Sequence, residues 1–345
     1  MLFLGNETVE IKVARKAHWD YYKCRVKRRL GEPICDNACA VCKNTNPRQV
    51  NSRSVRFNDI ARYLNQADNI KDIIIGKPDD ILSCSNDFFN HLGITQQNLI
   101  DYFDETKENR PVNFPILHRI ILDVNSIFSY SDFSSAAPNV YGAYMLATNL
   151  NRRTCTYCNR MYTNVLSTHT GKKVMRPQFD HWYPQSLFPV LAISFYNLIP
   201  SCYICNSSAK KDVVLSTLIH IHPYVDANQS EEFKFNFAYR TSLDQYRIFI
   251  TPSDPTNKKA FDTLKKLNVD EMYNSHHEEL RDLIKIKQAY SEEYISKMQK
   301  FFPKSGLNSN EIYRLLFGTE LDTEALHKRP LSKFKRDILQ RLGIV

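Results

Sequence analysis

Residues 155–210 contain, in order, Cys-Thr-Tyr-Cys-Asn-Arg (155–160), Phe-Asp-His-Trp-Tyr-Pro (179–184), Asn-Leu-Ile-Pro-Ser-Cys (197–202) and Cys-Asn-Ser-Ser-Ala-Lys (205–210). Two Cys-x-x-Cys pairs, Cys155/Cys158 and Cys202/Cys205, thus bracket the dipeptide Asp180-His181 and Asn197, with a second asparagine, Asn206, directly after the last cysteine. Each pair can bind one edge of a tetrahedral zinc ion, and two pairs close a structural four-cysteine site. Disulfides and a redox dithiol compete with that reading. No stretch reads as a secretion signal, which argues for reduced thiols, and no thioredoxin-like strand precedes either pair. A carboxylate, an imidazole and an amide between the pairs suit a hard divalent cation with oxygen ligands beside a base for water.

The local sequence supplies a frame for these groups. Arg176 to His181 reads as a strand, and Pro184 and Pro189 then enforce a loop. Leu191 to Ile199 is apolar enough to be buried, Pro200 is expected to stop it, and Cys202-x-x-Cys205 makes a turn from which Asn206 to Lys210 starts a helix. Strand, loop, strand, helix is the resulting order.

Taken together, these motifs resemble the HNH endonucleases, the zinc-bracketed branch of the ββα-metal (His-Me finger) nucleases. The resemblance covers about 155–225 and rests on the ordered combination of motifs. It implies metal-dependent hydrolysis of phosphodiester bonds, DNA being the expected polymer. It further implies that His181 is the general base, Asp180 a ligand of the catalytic ion, Asn206 a second ligand standing where the family's last position often has His, and Asn197 the amide that orients the base. Oxygen donors at Asp180 and Asn206 favour Mg2+ or Mn2+ for catalysis, with Zn2+ structural at Cys155, Cys158, Cys202 and Cys205. A different class keeps the zinc fold and drops catalysis, as a non-catalytic zinc-stabilised module that binds nucleic acid; intact Asp180, His181 and Asn206 argue against it.

Two further groups flank the motif. His220 and His222 alternate along an extended run, where either can approach the metal or be satisfied by a backbone carbonyl. Cys35, Cys39 and Cys42 have ligand-like spacing, and Cys24 completes a candidate second zinc knuckle at 24–42; the plain alternative is reduced thiols in a loop. Cys84 reads as a core thiol.

The chain has 345 residues and a net charge of +9, which suits a polyanionic partner. Two basic runs, Lys23/Arg25/Lys27/Arg28/Arg29 and Lys328/Arg329/Lys333/Lys335/Arg336, are candidates for phosphate neutralisation, with a solvated helix face as the alternative for each. No apolar run spans a membrane, and Met1 to Gly5 is too short for a signal peptide, so a cytoplasmic location without membrane contact is expected.

Only nine glycines favour helices over a large β domain. Apolar clusters at Ile60–Leu64, Phe88–Leu92 and Ile116–Val124 predict helices, as does Ala137–Leu150. Aromatic alternation over Glu232–Ile250 predicts a hairpin turning near Thr241. A helix pair broken near Asn274-Ser275 is expected over 257–300, then helices with breaks at Pro303 and Pro330. The fold class is therefore α+β, with a mainly helical region at 1–140, a zinc-stapled ββα nuclease core at 141–226, and a hairpin with helices at 227–345. HNH cores with long extra segments also resemble effectors of bacterial anti-phage systems such as the Septu nuclease subunit. That resemblance implies an ATPase partner subunit docking on 1–130 or 255–345.

Overall fold

Thr8 opens the first helix, α1 (Val9–Leu30), by accepting the amide of Ile11 on its side chain, and Glu10 sits in the first turn where the helix dipole favours an acid. Lys27, Arg28 and Arg29 lie in the last turn, where the dipole favours cations. Gly31 then ends the helix at φ 99°, a left-handed conformation that costs glycine little, and its amide returns to the Arg28 carbonyl. The computed structural model describes residues 4–5, 8–66, 68–137, 139–227, 229–243, 245–289 and 308–345.

α1 is the spine of the N-terminal half. Around it lie α2 (Ala40–Lys43), α3 (Phe57–Leu64), α4 (Asn69–Ile75), α5 (Pro78–His91), α6 (Gln96–Asp104), α7 (Arg110–Asn113), α8 (Pro115–Ile127), α9 (Tyr130–Ser134) and α10 (Ala143–Leu150). α1 packs directly on α4, α8 and α10. The clusters at Ile60, Phe88 and Ile116 fall within α3, α5 and α8. The predicted Ala137 helix begins only at Ala143, because Gly142 passes so close to α9 that a Cβ there would stand 2.6 Å from the Phe133 carbonyl oxygen.

Three small antiparallel sheets follow. β1 (Leu166–Ser167) pairs with β2 (Lys173–Met175), β3 (Gln178–His181) with β4 (Leu198–Ser201), and β5 (Phe233–Arg240) with β6 (Gln245–Pro252). Pro200 does not stop the second strand of the motif as expected. It sits inside β4 opposite Phe179, tolerated because a two-stranded sheet leaves one edge unpaired. The hairpin β5–β6 turns at Thr241 as the aromatic alternation predicts.

Beyond it come α11 (Lys259–Lys266), α12 (Val269–Tyr273), α13 (His277–Ala289), α14 (Ser309–Phe317) and α15 (Ser332–Arg341). The expected helix pair is three helices up to Ala289, because Asn268 turns left-handed at φ 53° and adds a break that spacing alone did not reveal. Residues 290–300 and Pro303 lie outside the described residues. The architecture is α+β, helices with small antiparallel sheets around two four-cysteine clusters.

Several members of the two basic runs are engaged within the fold, while Lys27 and Lys328 are exposed. Arg25 and Arg29 pair with Asp132, and Arg28 donates to the Glu32 carbonyl. In the second run Lys333 is 1% exposed, donating to Asp337 at 2.6 Å and to the Phe233 carbonyl, while Arg336 is 4% exposed and holds Glu231. Lys335 donates to the Phe317 carbonyl and Arg329 pairs with Glu320. Much of this charge fastens elements together.

His18 and His222 are wholly buried in neutral form. His18 Nε2 lies 2.7 Å from the Ile193 carbonyl, and burial holds its pKa at about 4; His222 sits against Trp182 with its pKa held at about 3, again by burial. In the unfolded chain both titrate near 6.5. The unfolded state therefore binds more protons below that value, and stability falls as pH drops from 6.5 towards the folded pKa values. The contribution of His18 alone is on the order of 3 kcal/mol. Urea unfolding at pH 7 and at pH 4.5 is expected to show a lower midpoint at the acid pH, with His18→Phe showing a smaller acid shift than the parent.

Candidate functional site

The Cys-x-x-Cys pairs converge as their spacing predicts. The sulfurs of Cys155, Cys158, Cys202 and Cys205 all lie within 4.8 Å of one another, none is more than 5% exposed, and none is disulfide-bonded. Tetrahedral zinc with bonds of about 2.3 Å sets its sulfurs roughly 3.8 Å apart, and Cys158 Sγ stands 3.9 Å from Cys202 Sγ. The amide of Cys202 points at Cys155 Sγ from 3.2 Å, and that of Arg160 at Cys158 Sγ from 3.4 Å, as thiolate ligands require.

The first pair is also tied to the far end of the chain. Asn159, directly after Cys158, adopts a left-handed conformation (φ 54°). Its backbone carbonyl accepts the amide of Leu331 at 2.6 Å, and its side chain takes the amide of Lys333 while donating to the carbonyls of Leu326 and Arg329. α15 is thereby docked onto the cysteine knuckle.

Next to the cluster, antiparallel pairing of β3 with β4 sets Asp180 opposite Ile199 and His181 opposite Leu198. His181 is partly buried, its ring in edge contact with Tyr130, and its Nε2 stands 2.9 Å from the Ala192 carbonyl. A carbonyl accepts only, so Nε2 carries the proton and Nδ1 keeps its lone pair. Burial lowers the pKa to about 4, so the ring is neutral at physiological pH.

Asn197 is fully buried and touches no cleft. Its Oδ1 takes the Tyr183 amide at 2.7 Å, and its Nδ2 donates to the carbonyls of Tyr183 and Leu191. It thereby staples the loop whose next residue, Ala192, holds His181.

Asp180 is 2% exposed. Tyr157 donates its hydroxyl to Oδ2 at 2.6 Å, and the Lys210 ammonium lies 3.9 Å from the same oxygen while donating to the His181 carbonyl. Burial raises the Asp180 pKa to about 6 against the opposing pull of Lys210, and burial lowers that of Lys210. Tyr157 and Lys210 were within the quoted motifs, but no spacing signal marked them as partners of Asp180. Asn206 donates Nδ2 to Gln178 Oε1 at 2.7 Å, which leaves its carbonyl oxygen free to coordinate.

The segment after Cys205 is a wide helical turn of π type, Cys205–Lys210, and the helical residues begin at Tyr203, not at Asn206 as expected. Asp180, His181 and Asn206 line one open cleft of about 810 Å³, which Phe103, Lys107, Arg110, Lys211 and Asp212 also line. Lys107 and Arg110 stand well ahead of the motif in the chain and Lys211 just beyond it, which no local pattern signals. His222 takes no part: fully buried, it accepts the Tyr224 amide on Nδ1.

No protein-family model matches the chain, and neither a curated protein nor a solved structure matches it. No helix among the described residues is long and apolar enough to cross a membrane.

Proposed function

We propose that this chain is a metal-dependent endonuclease of the HNH type, hydrolysing phosphodiester bonds in nucleic acid, DNA in the first place. One observation carries the reading: a neutral histidine with its Nδ1 lone pair available shares a cleft wall with a carboxylate and an amide oxygen, beside a four-cysteine cluster. Asp180 and Asn206 offer oxygen donors, which fit Mg2+ or Mn2+ better than a soft ion. When bound, that cation would supply charge stabilisation for the scissile phosphate and the leaving oxygen.

The residues of the chain do the rest. His181 takes a proton from the attacking water on Nδ1, and the Ala192 carbonyl holds the ring in the tautomer this needs. A pKa near 4 makes it a weak base in the empty cleft, and an entering phosphate anion raises its basicity by stabilising the imidazolium. Lys107, which lines the same cleft, suits the phosphate backbone, and Arg110 adds charge there while its guanidinium donates to the carbonyls of Tyr102, Phe103 and Glu105. Zinc at the four cysteines would take no chemical part and would hold the Cys155–Cys158 knuckle to the end of β4 and the turn after it. In the same reading, residues 1–130 or 255–345 serve for docking an ATPase subunit in a bacterial anti-phage system.

A zinc-stabilised module that only binds nucleic acid is favoured by one observation. Asp180 is buried and engaged by Tyr157, with the Lys210 ammonium competing for the place of a cation. Nicking of supercoiled plasmid separates the two: Mg2+- or Mn2+-dependent conversion to open circles supports the nuclease, and retention on DNA without conversion supports the module.

Metal titration of variants tests the ligand roles. Asp180→Asn, which keeps the contact with Tyr157, and Asn206→Ala are expected to raise the Mg2+ midpoint. Asn197→Ala is expected to lower the rate and the melting temperature at an unchanged midpoint, since it strands the Tyr183 amide and the Leu191 carbonyl and frees the loop that holds His181. An unchanged midpoint in Asp180→Asn removes that carboxylate from the ligand set.

A further inference from the structure

Cys24, near the C-terminal end of α1, meets three cysteines delivered by the segment that follows Gly31. Its Sγ lies 3.6 Å from that of Cys35 and 3.9 Å from that of Cys39, Cys35 stands 3.3 Å from Cys42, and all four sulfurs fall within 4.8 Å of one another. None is disulfide-bonded. Separations of 3.3–3.9 Å are those of sulfurs around one ion, far above the roughly 2.05 Å of an S–S bond.

The segment that carries them has little else to hold it. Over residues 31–46 the buried residues are Cys42 and Thr45, and Ile34 is 42% exposed. Besides local backbone bonds within the segment, its ties are scattered hydrogen bonds: the amides of Gly31 and Glu32 to the Arg28 and Lys27 carbonyls, Arg28 to the Glu32 carbonyl, Arg29 to the Asn46 carbonyl, and Asn65 to Glu32. So little apolar burial does not offset the entropy of ordering such a loop and converging four thiols. A cation in their midst does.

A zinc ion with four thiolates carries a net charge of −2. The hollow of about 410 Å³ that Cys24, Cys35 and Cys42 border is lined by three cations, Lys23, Lys27 and Lys71, and one carboxylate, Asp68; Lys71 pairs with Asp68 and Lys23 with Asp20, which among the described residues leaves Lys27 to face the cluster's charge. The two clusters differ in exposure. All four central thiols are buried, whereas Cys35 is exposed and Cys39 partly so.

We propose that Cys24, Cys35, Cys39 and Cys42 hold a second zinc ion that staples residues 31–46 to α1, and that its open edge makes it the exchangeable one of two zinc ions in the chain. It stands independently of any nuclease activity.

The test is zinc content by mass spectrometry on the full chain, purified under reducing conditions, before and after timed exposure to a chelator. Two zinc ions per chain are expected, one released quickly and one slowly. Cys35→Ser, at an exposed position where folding of the rest is spared, is expected to retain one zinc, and that one the slowly released ion. Cobalt substitution gives a second readout: the charge-transfer absorption of tetrahedral cobalt thiolate should fall by half in Cys35→Ser. A parent protein with a single zinc, a Cys35→Ser variant that keeps both, a Cys35→Ser variant that keeps only the quickly released ion, or a disulfide among these four in the reduced preparation would each overturn the assignment.

Discussion

Cys205→Ser is expected to lose the central zinc and to unfold the region around it. Structural zinc in small tetrathiolate and related sites contributes about 10–16 kcal/mol of apparent binding free energy at neutral pH, and that energy is folding energy. A hydroxyl in place of one thiolate forfeits much of it, against a whole-domain stability of about 5–15 kcal/mol. The dependence is steep here because the cluster joins three pieces of chain: the Cys155–Cys158 knuckle, the end of β4, and the wide turn that carries Asn206 and Lys210. Melting followed by circular dichroism, with zinc counted in parallel, is the measurement. A variant that melts with the parent and keeps its central zinc removes Cys205 from the ligands.

His181→Ala is expected to reduce cleavage by about a hundredfold to ten-thousandfold, the usual cost of a missing general base, while zinc content and melting temperature stay close to those of the parent. Only one hydrogen bond, to the Ala192 carbonyl, is lost with the ring. The distinction between the two variants matters: Cys205→Ser loses activity through the fold, His181→Ala through the chemistry. Plasmid nicking across pH 6–8 at saturating Mn2+ reads it. Cleavage at the parent's rate would show that another group activates the water.

What could be read from the chain beforehand follows from how local each signal is. Cys-x-x-Cys spacing is a statement about one turn of backbone, so both pairs and even the partnership of Cys24 with a triad eleven residues on were legible. Asp180 and His181 were legible as neighbours. Their surroundings were not, because Tyr157, Lys210 and Ala192 reach them only once β3 pairs with β4. The resemblance implied that Asn197 orients the base, and its three hydrogen bonds fasten the loop that ends at the partner of His181. Charge misled for the complementary reason. Lys333 and Arg336 look like a surface run in the sequence; Asp337 stands four residues from Lys333 on the same helix, but the burial of that pair against β5 and the reach of Arg336 to Glu231 become visible only when α15 is folded. Pro200 misled because a proline's tolerance in a strand depends on which edge is unpaired.

The docking of α15 on Asn159 bears on the order in which the chain can mature during synthesis. The knuckle at Cys155–Cys158 leaves the ribosome long before the segment that caps it, with 170 residues separating Asn159 from Arg329. At about 5–20 residues per second, roughly 10–35 s pass before the Leu331 amide can reach the Asn159 carbonyl. Through that interval the left-handed turn after Cys158 lacks its partners, and a nascent chain stalled before residue 326 would expose an incomplete zinc knuckle to competing thiol chemistry.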